Sequence, residues 1–105
     1  MSSTLKRLAV QIVRFVDDSF PGWVECKFTD SEGRLHTFVD KWPIVTTEVL
    51  DENSAYPRSG YIHCEVLSRL LDTRGRELVR ITTAFSTEST EGLSEFVVLS
   101  SQLSD

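Results

Sequence analysis

Two segments of this chain follow the same pattern, and this repetition constrains the fold more than any other feature. GWVEC at 22–26 and GYIHC at 60–64 each run glycine, aromatic, branched aliphatic, polar, cysteine. An Asp-x-x-Gly-Arg sequence follows each of them, DSEGR at 30–34 and DTRGR at 72–76. Asp at the first position of a turn accepts backbone hydrogen bonds, and Gly at the last supplies a positive φ. Alternating apolar residues flank both turns, so the pattern predicts two similar β-hairpins.

The register of the first hairpin follows from its turn. If DSEG forms a four-residue loop, Thr29 pairs with Arg34, and the rest of the pairing is fixed. The apolar inner face then carries Val24, Cys26, Phe28, Leu35, Thr37 and Val39. The outer face carries Trp23, Glu25, Lys27, His36, Phe38 and Asp40.

The second hairpin follows the same rule, with Leu71 paired to Arg76 across the turn. Its inner face is predicted to carry Ile62, Cys64, Val66, Ser68, Val79, Ile81, Thr83 and Phe85. Its outer face is predicted to carry His63, Glu65, Leu67, Arg69, Leu78, Arg80, Thr82 and Ala84. Both cysteines are therefore expected to be buried, each opposite a threonine.

The remaining segments complete an all-β prediction. LAVQIVRFV at 8–16 is apolar on both faces, which is typical of a largely buried strand. Pro43 is incompatible with a central strand at that position. We predict a short strand from Ile44 to Thr46 and one helical turn over 47–51. SEFVVLS at 94–100 reads as a last strand, after which the tail is expected to fray.

We predict a single all-β domain over residues 1–105, built around the two hairpins. The expected architecture is a small antiparallel β-barrel or sandwich of six to seven strands, with at most one short helical turn. The loops at 40–60 and 86–92 connect its elements.

Composition limits the classes of partner. The net charge is −5, so we expect no long-range attraction to nucleic acid or anionic lipid. No apolar run approaches the roughly 18 residues of a membrane span, so we expect no membrane partner. The N-terminal apolar stretch is interrupted by Gln11 and Arg14 and shows no signal-peptide cleavage site. We therefore expect a cytoplasmic protein with reduced cysteines.

Catalytic and metal-binding patterns are weak. The chain contains two cysteines and two histidines, namely Cys26, Cys64, His36 and His63. Their spacing forms no zinc knuckle, and the predicted register points the cysteines inward and the histidines outward. No nucleophile motif selects a catalytic group. We expect neither a metal nor a cofactor, and a protein that is not an enzyme.

Two sets of residues are candidates for binding. Apolar side chains on the solvent side of an antiparallel sheet are typical of an interface. The interface candidates of this kind are Trp23, Phe38, Trp42, Leu67 and Leu78. Basic residues interleaved with aromatics are a second pattern, typical of a ligand-binding face. The ligand-face candidates are Tyr61, His63, Arg69, Arg76 and Arg80.

The function expected from these patterns is that of a non-enzymatic interaction module, an accessory or immunity-type protein that acts through an exposed aromatic sheet face. Its partner would be another protein or a second copy of the chain. The alternative is a ligand-binding or enzymatic barrel with its site near the 86–92 and 40–60 loops.

Overall fold

The computed structural model describes residues 5–105, which form seven mostly antiparallel strands in one curled sheet, a half-barrel. The strands are β1 (Lys6–Asp17), β2 (Trp23–Thr29), β3 (Leu35–Lys41), β4 (Arg58–Leu71), β5 (Glu77–Thr83), β6 (Glu95–Leu99) and β7 (Leu103–Ser104). Among these residues the one α-helical turn is α1 (Trp42–Val45). The strand order is β3-β2-β1-β4-β5-β6, with β7 paired to β1. The predicted fold class is confirmed.

Both predicted turns are present, and they share their hydrogen bonds. Asp30 N donates to Arg34 O at 2.9 Å and Gly33 N to Asp30 O at 3.0 Å; the equivalent bonds of DTRGR are both 3.0 Å. Gly33 and Gly75 have φ of 82° and 79°. A third turn of the same kind begins at Ser89, whose amide donates to Leu93 O at 2.8 Å. The segment 86–92, predicted only as a loop, therefore contains an ordered turn.

The predicted register of the first hairpin is wrong by one residue. Thr29 pairs with Leu35, and Cys26 pairs with Phe38. The reason is the length of the loop: Asp30 and Arg34 close it, leaving three residues between them, with the glycine as a bulge. A shift of one residue exchanges the two faces of β3. His36 and Phe38 are therefore buried, with exposed fractions of 4% and 1%, and do not lie on the outer face.

The second hairpin has the same shift near its turn, but a bulge corrects it. Leu71 pairs with Glu77 and Arg69 with Val79, so the predicted pairing of Arg69 with Leu78 is wrong, although the Arg69 side chain is exposed. A register shift between Val66 and Ser68 then restores the predicted pairing further on, where Cys64 lies opposite Thr83. Both cysteines are fully buried, as predicted.

Strand β1 is buried on one face only, which corrects the prediction of two buried faces. Ala9 and Gln11 are exposed. A bulge between Ile12 and Arg14 shifts the phase, so that Phe15 packs against the core while Val16 is exposed. The C-terminal tail was expected to fray, but it forms β7 on the edge of β1 opposite to β4.

The helical turn lies earlier than predicted. It begins at Trp42 with Pro43 in its first turn. A proline is well tolerated there, because the first N–H groups of a helix have no intrahelical acceptor and the fixed φ of proline suits a helix. The short strand predicted at 44–46 is therefore absent. Val45 and Leu50 join the core from this segment. Gly60 makes this packing possible, because a Cβ there would lie 2.7 Å from Ile12 and 2.8 Å from the carbonyl oxygen of Val45.

The core lies on the concave face of the sheet. Its fully buried large side chains are Leu8, Ile12, Val24, Cys26, Phe38, Val45, Ile62, Cys64, Val79, Ile81 and Val98. Within residues 5–105, no helix has the length and apolar character that crossing a bilayer requires.

Candidate binding face and seam pocket

Four side chains on the outer face of β1 and β4, and in the loop after β5, form a continuous row. The Arg7 guanidinium lies 4.7 Å from the centre of the Tyr61 ring. Tyr61 and His63 meet edge to face with their ring centres 5.0 Å apart, and His63 meets Phe85 in the same way at 5.6 Å. We call Arg7, Tyr61, His63 and Phe85 the outer aromatic row. These contacts are favourable cation–π and edge-to-face geometries.

The backbone at Phe85 is strained. Phe85 and Ser86 both have a φ of 58°, and Thr87 N donates to Ala84 O at 3.1 Å across them. A turn whose two central residues both have positive φ normally carries glycine or asparagine there. Phe85 is nevertheless 64% exposed, so burial of its ring does not compensate the strain. The prediction from alternation that Phe85 lies on the inner face is wrong.

A groove of about 490 Å³ lies beside this row on the outer face of β1. It is lined along β1 by Ala9, Val10, Gln11 and Val13, and at its sides by Lys27, Phe28, Thr29, Leu35, Ser59, Gly60 and Gln102. Ala9 pairs with Tyr61 across the strands, so the groove and the outer aromatic row are neighbours on one surface.

Two cations, Lys27 and Arg7, lie on this surface, and they differ in their pairing with carboxylates. Lys27 lines the groove, and no carboxylate does. Glu25 lies 3.5 Å from the Lys27 ammonium, but it makes a shorter contact of 2.7 Å with Arg14. Among residues 5–105, no carboxylate lies within ion-pair distance of Arg7. The groove is therefore suited to a ligand with negative charge.

A second cavity, of about 270 Å³, lies in the seam where the edges of the curled sheet approach each other. We call it the seam pocket. Two backbone bonds cross the seam, from Ser31 N to Val97 O at 2.9 Å and from Thr90 N to Thr37 O at 2.8 Å. The lining residues are Asp30, Ser31, Glu32, Arg34, His36, Arg80, Leu93, Glu95, Phe96 and Val97.

The buried group of the seam pocket is His36. Its Nε2 lies 2.8 Å from Asp30 Oδ2, and its Nδ1 has no hydrogen-bond partner among the described residues. Burial alone would raise the pKa of Asp30, but the hydrogen bonds from His36 and from the amides of Arg34 and Glu32 outweigh it and lower this pKa. An ionised Asp30 therefore accepts the Nε2 hydrogen of His36.

The cysteines have no catalytic or metal-binding environment. Burial raises the pKa of Cys26 to about 12 and that of Cys64 to about 11, which keeps both as neutral thiols. Among residues 5–105, no group of three or more histidine, cysteine, aspartate or glutamate side chains has a geometry that could hold a metal ion.

The five interface candidates do not form one patch. Trp23 is half-buried on the outer face, with the Lys41 ammonium 5.6 Å from its ring. Phe38 belongs to the core, and Trp42 packs against the core while its Nε1 donates to Pro21 O at 2.7 Å. Leu67 is 43% exposed at the bulge of β4. Leu78 is only 8% exposed, and its strand neighbours are Leu70 and Leu99.

The ligand-face candidates divide into two groups. Tyr61 and His63 touch each other in the outer aromatic row. The arginines lie elsewhere: Arg76 contacts Asp72 at 2.6 Å, Arg80 contacts Glu95 at 3.1 Å, and Arg69 lies opposite Val79.

Sequence reasoning missed Arg7 and Phe85. Arg7 lies on the outer face of a strand whose pairing with β4 is not visible locally. The signal for Phe85 was available, because Thr-Ala-Phe-Ser-Thr at 83–87 ends the apolar alternation with a large aromatic residue before a polar loop.

Comparison of the chain with protein-family models, with curated proteins and with solved structures finds no match.

Proposed function

We propose that this protein is a non-enzymatic binding module that docks a protein partner on the outer face of β1 and β4. The observation that carries the proposal is Phe85, whose ring is 64% exposed at a φ of 58°. Neither burial nor backbone preference accounts for a phenylalanine at this position, and strained, exposed residues cluster at functional sites.

The neighbours of Phe85 support the same conclusion. Tyr61 and Arg7 are residue types that are enriched at interfaces and at their energetic centres. The adjacent groove gives the face a concave part, so that a partner would meet both a ring-lined ridge and a cleft. The surface therefore offers shape, apolar area and charge together.

The site proposed here differs from the interface expected from the sequence, since Phe38 and Trp42 now have structural roles. Cytoplasmic location remains part of the proposal, and two free, buried cysteines suit a reducing compartment. The net charge of −5 favours a protein partner over nucleic acid.

The test compares proteins captured from a native lysate by three immobilised forms of the full chain. These are the wild type, Phe85→Ser in the outer aromatic row, and the control Val39→Ser, which replaces an exposed residue on β3. We expect at least one protein that the wild type and Val39→Ser retain and Phe85→Ser loses. Circular dichroism and urea unfolding establish that all three are folded. Identical capture by all three forms would contradict the proposal.

A second candidate is a small-ligand site in the seam pocket, close to the 86–92 loop. It is favoured by His36, a buried polar side chain whose Nδ1 has no partner within residues 5–105. Thermal-shift screening of small-molecule fragments tests it. A stabilising fragment whose effect is lost in Arg80→Ala would support this candidate, and the absence of any such fragment would count against it.

A further inference from the structure

The groove on the outer face runs along β1. Successive outward residues of this strand, Ala9, Gln11 and Val13, line it in order. Strand β4 borders it through Ser59 and Gly60, and strand β2 and the start of β3 border it on the other side. An extended chain segment that follows β1 would therefore lie along the lining from Ala9 to Val13.

Side-chain size explains why there is a groove. Ala9 and Ser59 are small residues at its centre, and Gly60 has no side chain at all. Longer side chains, Lys27 and Leu35, stand on the β2–β3 side, where Leu35 is 54% exposed. The small side chains at the centre leave a cleft between taller side chains, where an extended peptide could lie against the sheet.

The positive charges stand at two points along this path. Arg7 lies on β1 at one end, held against the face of Tyr61. Lys27 lies four residues further along, since it pairs with Gln11. The groove lining between them contains no carboxylate.

We propose that the groove binds an extended acidic peptide segment of a protein partner, with one carboxylate at Arg7, a second at Lys27, and a ring against the outer aromatic row. This inference rests on the proposed function and specifies its ligand. The charge complementarity of this surface argues for it, because the lining carries Lys27 and no carboxylate, and Arg7 beside it has no carboxylate within ion-pair distance among residues 5–105.

The register gives the spacing of the two carboxylates. Four residues of β1 separate Arg7 from Gln11, a distance of about 13 Å at about 3.3 Å per residue. A peptide in the same extended conformation covers this distance in four residues. The acidic residues of the peptide are therefore expected four positions apart, at i and i+4.

Single-stranded nucleic acid is the competing occupant, since aromatic rings and arginine also stack on bases. A nucleic acid with a phosphate at every nucleotide needs a continuous positive track. This surface provides two separated cations on a chain of net charge −5. The observations therefore favour a peptide with two carboxylates.

The experiment selects peptides from a displayed random 12-residue library on the full chain. The enriched peptides are then tested on Arg7→Glu, on Phe85→Ser and on the matched control Val39→Ser. We expect enriched peptides to carry two acidic residues four positions apart and an aromatic residue or proline nearby. A synthetic enriched peptide should bind the wild type and Val39→Ser equally in fluorescence anisotropy. Arg7→Glu should weaken it more than tenfold. Replacing the acidic residue that faces Arg7 by lysine should restore binding to Arg7→Glu.

The outcomes separate the two proposals. Peptides that depend on Arg7 or Phe85 but carry no paired acidic residues would overturn the acidic-peptide assignment and leave the binding face intact. The absence of any enrichment that depends on Arg7 or Phe85 would overturn both. Tighter binding of a twelve-residue oligothymidylate than of the best peptide would assign the face to nucleic acid instead. Binding only to vesicles containing phosphatidylserine would assign it to a lipid surface.

Discussion

The imidazole of His36 lies 2.8 Å from the carboxylate of Asp30, so the residue that opens the first turn also holds a buried group of β3. Asp30 Oδ1 accepts the amides of Glu32 and Arg34, and its Oδ2 accepts His36. In the second hairpin, Asp72 makes the same turn bonds, but its Oδ2 accepts the exposed side chain of Arg76. The two turns are thus locally equivalent and differ in their connection to the core.

We predict that Asp30→Ala destabilises the protein more than Asp72→Ala. Both changes remove the turn bonds, but only the first leaves the buried His36 without a partner. An unsatisfied buried polar group costs about 1–3 kcal/mol, which should appear as the difference between the two variants. Urea unfolding of both variants measures it. Equal losses of stability would mean that the His36–Asp30 contact contributes nothing.

Phe38→Ala should destabilise the protein far more than Trp23→Ala. Phe38 is 1% exposed and contacts Phe28 and Phe96 in the core. Removing such a ring costs about 3–5 kcal/mol through lost burial and the cavity left behind. Trp23 is half-buried on the outer face, so its loss should be smaller. Chemical denaturation provides the comparison, and the reverse order would contradict the burial of Phe38 in the core.

The two thiols should make stability fall at alkaline pH. In the unfolded chain each titrates near 9.0, whereas the folded protein raises the pKa of Cys26 to about 12 and that of Cys64 to about 11. A raised pKa contributes stability that is fully present below pH 9.0 and is lost as the pH rises toward 11 and 12. Above pH 9.0 the unfolding free energy of the double variant Cys26→Ala and Cys64→Ala should therefore fall less steeply than that of the wild type. If the unfolding free energies of the wild type and the double variant fall in parallel with pH, the fold does not raise the pKa of either thiol.

Phe85→Gly should stabilise the fold by about 1 kcal/mol, because glycine adopts a positive φ without strain. It should also abolish partner binding, because the ring is lost. Ser86→Gly relieves the same kind of strain one residue later and keeps the ring. That control should gain stability and keep its binding. Thermal unfolding and peptide binding measured on both variants check the prediction. Loss of binding in Ser86→Gly would assign the effect to the shape of the loop.

The local sequence determined the turns and the buried positions of β2. Asp-x-x-Gly carries its own hydrogen-bond acceptor and its own positive-φ residue, so its conformation needs no distant contact. Cys26 and Cys64 are buried where alternation predicts, because the period of a strand is a property of its own backbone.

The tertiary structure decided which residues meet. The three-residue loops shift both hairpins by one position, and only the bulge after Val66 corrects the second, so Phe38 is buried while Leu67 is exposed. Arg7 reaches Tyr61 only because β1 pairs with β4, a contact across more than fifty residues of sequence. Turn geometry is set by neighbouring residues and is readable from them. The bulge in β4 and the pairing of β1 with β4 depend on the packing of distant strands, so no local pattern encodes the binding face.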